Sequence, residues 1–167
     1  QERILIMPYA PFLEQFRELA LKETRSFTIP ENDPALPADE YGLIELYCDD
    51  DDCDCRRVMF DVLSRKRGKS VAVIAYGWES REFYAKWLHE DNPLMIEALK
   101  GPSLNLTSPQ SNVADVLLEL FNKVLLKDTA YIERVKRHYQ MFRNRIDRKI
   151  IPLAGIRKKK RMKKRKA

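Results

Sequence analysis

No long apolar run occurs in this sequence. Its longest unbroken hydrophobic blocks are a few residues, far short of the roughly 20 that a helix needs to cross a bilayer. Near the N-terminus only Ile4 to Met7 forms an apolar block, too short for the core of a secretory signal, and a start at Gln1 leaves open whether a leader precedes it. Cysteine is scarce: the chain has three, an odd number, all crowded between positions 48 and 55. A secreted disulfide framework would show an even count at dispersed positions, so a reducing, cytoplasmic setting is expected and the sequon at Asn105 carries no weight. The five glycines form neither a G-x-G-x-x-G nor a G-x-S-x-G pattern. Gly68-Lys69-Ser70 looks like the end of a phosphate-binding loop, but Leu63 stands where its first glycine belongs, and a strand rather than a helix is expected to follow.

What remains is a folding chain with a segregated charge. Hydrophobic residues make up 44% of 167, enough for one domain with its own core. Residues 1–133 carry 15 Lys+Arg against 24 Asp+Glu, whereas residues 134–167 carry 16 against Asp147 alone. A single α+β domain of residues 1–150, acidic up to residue 133, is therefore expected to end in a basic tail of residues 151–167. The stretch 157-RKKKRMKKRK-166 repels itself too strongly to build a core and is expected to be disordered when unbound.

Periodicity supplies the elements. Phe12, Phe16, Leu19 and Ala20 predict an amphipathic helix over 11–24, and the proline-rich 28–40 reads as a connector. Strands are predicted at 43–48, 57–63 and 71–78, the last two joined by a turn at Gly68. Ser80, Asn92 and Asp128 are candidate helix caps, with Pro93 at a first turn and Gly101 as a stop. A further helix is predicted over 112–127, and a last one over about 129–147 with Tyr131, Val135, His138 and Phe142 on one face. The fold class expected is α+β: a short antiparallel three-stranded meander packed with about five helices.

One segment carries chemistry. In 47-YCDDDDCDCRRV-58 the cysteines follow a C-x4-C-x-C spacing inside a loop between two strands. Thiolates are preferred zinc ligands, and one short loop can supply three of the four donors of a tetrahedral site. Cys48, Cys53 and Cys55 are the candidate ligands, and His138, which points inward, is the expected fourth. A loop aspartate or a water is the alternative, and His89 reads as exposed. Arg56 and Arg57 are expected to balance the thiolate charge through hydrogen bonds to sulfur, with the aspartates facing water. The blander readings are spare or structural thiols and a Cys53–Cys55 redox pair, although C-x-C is not the usual redox spacing. His138 reads equally well as a satisfied core histidine.

The basic end is the other signal. Lys and Arg at this density bind phosphate without a folded motif. The candidate nucleic-acid contacts are Arg134, Lys136, Arg137, Arg143, Arg145, Arg148 and Lys149 on the last helix, then Arg157, Lys158, Lys159, Lys160, Arg161, Lys163, Lys164, Arg165 and Lys166. RNA is expected ahead of DNA as partner. The rival readings are a metal-dependent enzyme with an open zinc position and an adaptor for a protein partner. The aromatic set Tyr76, Trp78, Phe83, Tyr84 and Trp87 is assigned to packing rather than base stacking.

The segments 47-YCDDDDCDCRRV-58, 77-GWES-80, 83-FY-84, 101-GPSL-104, 109-PQS-111 and 137-RHYQMFR-143 together resemble an uncharacterised family of small bacterial proteins over roughly residues 41–143. That resemblance implies a bacterial cytoplasmic setting and no particular activity.

Overall fold

Burial that alternates along the first predicted strand and is nearly continuous along the other two builds the centre of the sheet. The computed structural model describes the backbone of residues 8–164 and the side chains of residues 8–148. Strands β3 (Asp39–Cys48), β4 (Arg57–Ser64) and β5 (Lys69–Gly77) lie side by side and antiparallel. Tyr41, Leu43, Tyr47, Val58, Phe60, Val62, Ala72 and Ile74 bury one face of them. The α+β class is borne out, but the sheet has six strands rather than three. The additional strands are β1 (Tyr9–Pro11), β2 (Arg25–Ile29) and β6 (Ser103–Leu104). β1 and β6 are too short for a period of two to register in sequence, and β2 runs directly into the proline-rich connector.

β1 and β2 share the outer edge of β3. β1 pairs with Leu46 to Cys48, and β2 pairs with Asp39 to Leu43. Between the two, the predicted helix 11–24 is broken at Phe16 into α1 (Phe12–Gln15) and α2 (Arg17–Glu23). Phe16 itself leaves helical geometry, with φ −138° and ψ 56°, and its ring stacks on Phe12 at 4.9 Å.

The buried face of the sheet packs against α5 (Ala114–Leu120), the π-helical turn Phe121–Leu125 that follows it, and α6 (Thr129–Lys164). Leu117, Phe121, Leu125, Val135 and Phe142 supply the helical half of this core. The opposite face is covered in part by α3 (Arg81–Leu88) and α4 (Pro93–Lys100). There Met59, Ala75, Tyr84 and Ile96 are buried outside the main cluster. Gly77 is required beside them, because a Cβ at that position would lie 2.2 Å from the Tyr84 hydroxyl.

The predicted caps form. Ser80 accepts from the Phe83 N–H at 3.1 Å, Asn92 from Leu94 at 3.1 Å and Asp128 from Tyr131 at 3.0 Å. α6 runs beyond the predicted end near 147. The stretch 157–166, expected to be disordered when unbound, is helical as far as Lys164, and its side chains lie outside the described residues. No helix among the described residues is long and apolar enough to cross a membrane.

Candidate metal centre

Cys48 closes β3, and Cys55 sits just before β4 begins at Arg57. The segment joining β3 to β4 has two left-handed residues, Asp52 at φ 59° between the cysteines and Arg56 at φ 48° just after the last. Outside glycine this conformation is uncommon and persists only where the surroundings hold it. The reversal brings Cys53 back over the strand ends. The Sγ atoms of Cys48, Cys53 and Cys55 then all lie within 4.8 Å of one another, and none is bridged to another. Three thiolates on one tetrahedral zinc, at about 2.3 Å each, stand roughly 3.8 Å apart, so this donor set suits a single ion. Asp49, Asp50, Asp51, Asp52 and Asp54 are exposed, as expected of the loop carboxylates.

The loop is held from several sides. Arg143 of α6 is almost wholly buried and donates from Nη1 to the carbonyls of Cys48 and Asp50, each at 2.9 Å. Its Nη2 pairs with Asp147, also at 2.9 Å. The Tyr139 hydroxyl accepts from the Arg56 N–H at 3.3 Å, and the Tyr84 hydroxyl donates to the Arg56 carbonyl at 2.8 Å. β1 sets Tyr9 opposite Cys48, which places its hydroxyl 3.9 Å from the Cys55 Sγ.

The two arginines after the last cysteine do not reach sulfur directly. Arg56 pairs with Asp54 and Glu79 and lies over the Phe83 ring. Arg57 donates to the Leu99 carbonyl at 2.6 Å and to the Tyr9 hydroxyl at 3.2 Å. The route from guanidinium to thiol therefore passes through Tyr9. Burial raises the Tyr9 phenol well above its ordinary range even though Arg57 pulls it down, and nearby Cys55 adds to the rise, so Tyr9 keeps its proton beside the sulfur.

The three thiols do not ionise alike. Hydrogen bonds from Cys48 and then Cys55 draw the Cys53 thiol far below its usual range, with the Arg143 charge adding to them. Cys48 is pushed up by its bonds to Cys53 and Cys55 and by burial. At Cys55 the bond to Cys48 pulls down, while the bond to Cys53 and burial push up and prevail. Of the three, the half-buried Cys53 is therefore the thiol whose surroundings most favour loss of the proton.

His138 is not brought to this cluster. It is buried with 1% of its surface exposed, and both ring nitrogens are taken: Nδ1 by Glu45 Oε2 at 2.7 Å and Nε2 by Glu23 Oε2 at 2.6 Å. Phe12 stacks on the ring at 4.3 Å. No fourth His, Cys, Asp or Glu atom joins the three sulfurs among the described residues. His89 is exposed at the end of α3.

The proposed nucleic-acid residues divide in two. Arg143 is buried on the cysteine loop, and Arg134 donates to the Glu23 carbonyl at 3.2 Å. Lys136 pairs with Glu133, and Arg137 with Glu23. Arg145 lies over the Phe16 ring but keeps an exposed surface, as does Arg148. Lys149, Arg157, Lys158, Lys159, Lys160, Arg161, Lys163, Lys164, Arg165 and Lys166 lie outside the described side chains.

Arg143, expected among the basic residues of the last helix that face a partner, is buried against the cysteine loop. The signal was present: position 143 follows Tyr139 by four residues, which puts it on the buried face of α6. Comparison with family models, with curated proteins and with solved structures finds no match to this chain.

Proposed function

We propose that Cys48, Cys53 and Cys55 hold one zinc ion and that the ion is structural, tying the β3–β4 loop to the end of the sheet. The observation that carries this reading is the approach of three unbridged sulfurs to within 4.8 Å at the meeting of β3, the loop and β4. Soft thiolates select zinc over the hard cations that the exposed aspartates alone would suit. A bound ion would keep all three thiols deprotonated, so binding would release protons and stabilise the fold. The buried Cys48 and Cys55 favour a structural role. The absence of a fourth protein donor among the described residues favours instead a metal-dependent enzyme with water in that position.

Titration with cobalt(II) tests both readings. A saturating thiolate-to-cobalt absorption at one ion per chain, absent from Cys53→Ser, supports the site. A spectrum that then shifts when azide is added identifies an exchangeable fourth position and the enzyme reading. No thiolate absorption in reduced protein contradicts the site.

Nucleic acid, RNA ahead of DNA, is the partner we propose for α6 and the basic residues beyond it. Sixteen Lys+Arg against Asp147 over residues 134–167 support this, with Arg145 and Arg148 exposed on the helix. Such binding weakens steeply as salt rises, and removal of residues 157–167 flattens the slope. A salt-independent affinity that survives this truncation would speak for a protein partner.

A further inference from the structure

Between α2 and α6 lie two adjoining open clefts, of about 450 and 200 Å³, that share Phe16 and Met141. Phe16, Leu19 and Met141, each half-buried, form an apolar floor. α2 sets Arg17 and Lys22 on one bank. On the other bank Met141, Arg145 and Arg148 fall at helical spacing on one face of α6. All four cations are exposed, and Glu18 is the one acid among the described lining residues.

The charge here is free. The side chains of Arg17, Lys22 and Arg148 make no ion pair or hydrogen bond among the described residues. The other basic side chains described on α6 are spent: Arg143 on the cysteine loop, Arg134 and Arg137 on Glu23, and Lys136 on Glu133. Unpaired positive charge on the described part of α6 is therefore gathered along the groove that faces α2.

Arg145 is held in a different way. Its guanidinium carbon lies 4.6 Å from the centroid of the Phe16 ring, which stacks in turn on Phe12 at 4.9 Å. Its Nη1 reaches the Gln15 carbonyl at 3.5 Å. The result is a planar cation seated over a ring, with the rest of its surface exposed. Guanidinium planes stack on unpaired bases, whereas a lysine ammonium is only a point charge. A duplex keeps its bases paired and would meet the charges alone. A single strand can lay phosphates along both basic banks and a base on the planar cation. An acidic protein segment would match the charge and the floor and leave the plane unused.

We propose that the groove between α2 and α6 binds single-stranded nucleic acid, with a base stacked on Arg145 and phosphates on Arg17, Lys22 and Arg148. This rests on the nucleic-acid reading of α6 and adds to it the form of the strand and the part played by α2.

Fluorescence anisotropy of the full chain at fixed salt compares labelled oligouridylate with an abasic strand and an RNA duplex of the same length. Oligouridylate should bind about tenfold more tightly than the abasic strand. Arg145→Lys should erase that advantage, with the salt slope and the duplex affinity unchanged because the charge remains. Arg17→Gln combined with Lys22→Gln should flatten the salt slope for oligouridylate by about 1.4, the share of two phosphate contacts on a single strand. All three positions are exposed, so the variants should keep the thermal unfolding of the unmodified chain. The proposal is overturned if the abasic strand matches oligouridylate, or if Arg145→Lys keeps the preference. It is equally overturned if polyglutamate binds more tightly than oligouridylate and loses affinity in the Arg17 and Lys22 variant, which would make the groove a site for an acidic protein segment. Oligouridylate binding that ignores every variant would overturn the groove alone. No binding of any nucleic acid would end the wider reading with it.

Discussion

Helix α6 carries two buried polar clusters, one at His138 and one at Arg143, and they differ in how they are satisfied. At His138 the protein supplies its own answer: an imidazole between two carboxylates, with a tyrosine hydroxyl beside them. Such a histidine has no lone pair left to offer a metal. At the cysteines, Arg143 satisfies the loop's carbonyls, while the three sulfurs find chiefly one another and the distant Tyr9 hydroxyl. The first cluster is complete, apart from one oxygen of Glu45. The second is a set of three sulfurs close enough together to hold a metal ion. Polarity and burial are common to both, so the difference lies in which hydrogen bonds are already made.

Breaking the second cluster should cost the most. Arg143→Ala takes the guanidinium from the buried Cys48 carbonyl and the partly exposed Asp50 carbonyl and frees the cysteine loop. Urea unfolding should show a loss of about 3 kcal/mol or more, together with weaker metal binding. A loss below about 1 kcal/mol would mean that water replaces the guanidinium, and the loop would not depend on α6. Next comes the first cluster. His138→Gln strips Glu45 of a buried donor and should cost about 2 kcal/mol by the same measurement, with metal binding unchanged. Loss of metal in that variant would join the two clusters that the structure keeps apart.

The smallest effect is expected from acid. Burial works to raise the Glu23 carboxyl, but hydrogen bonds from His138 and Arg137 outweigh it and hold the group below its unfolded value of 4.5. Its contribution to stability is therefore fully present above that value and is lost as pH falls through the lower folded one. Thermal unfolding of metal-free protein between pH 6 and pH 3 should show a decline at the acid end, shallower in Glu23→Gln. An equal decline in the variant would assign it to other carboxylates.

The central strands were legible because β3 alternates and β4 and β5 are short apolar runs joined by a turn at Gly68, and the caps because serine, asparagine and aspartate stand at the right places. Three kinds of feature were not. β1 and β6 are too short to display any period, and β2 exists because β3 offers it an edge. The break at Phe16 answers to tertiary packing, since its ring stacks on Phe12 rather than continuing the helix. The site divides the same way. The cysteines announce themselves by spacing, and the inward face of His138 by helical period. Its partners Glu23 and Glu45 lie far away in sequence, as do the carbonyls that Arg143 holds. Long-range hydrogen bonds leave no local pattern, and they are what separates a ligand from a core histidine here.

The most direct test is the zinc content, by elemental analysis, of protein purified under reducing conditions. It is measured side by side for the unmodified chain, Cys53→Ser and His138→Gln. The account predicts one zinc per chain in the first, a loss in the second and one zinc again in the third. No zinc in the unmodified chain, or zinc that leaves with His138 and stays without Cys53, would contradict it.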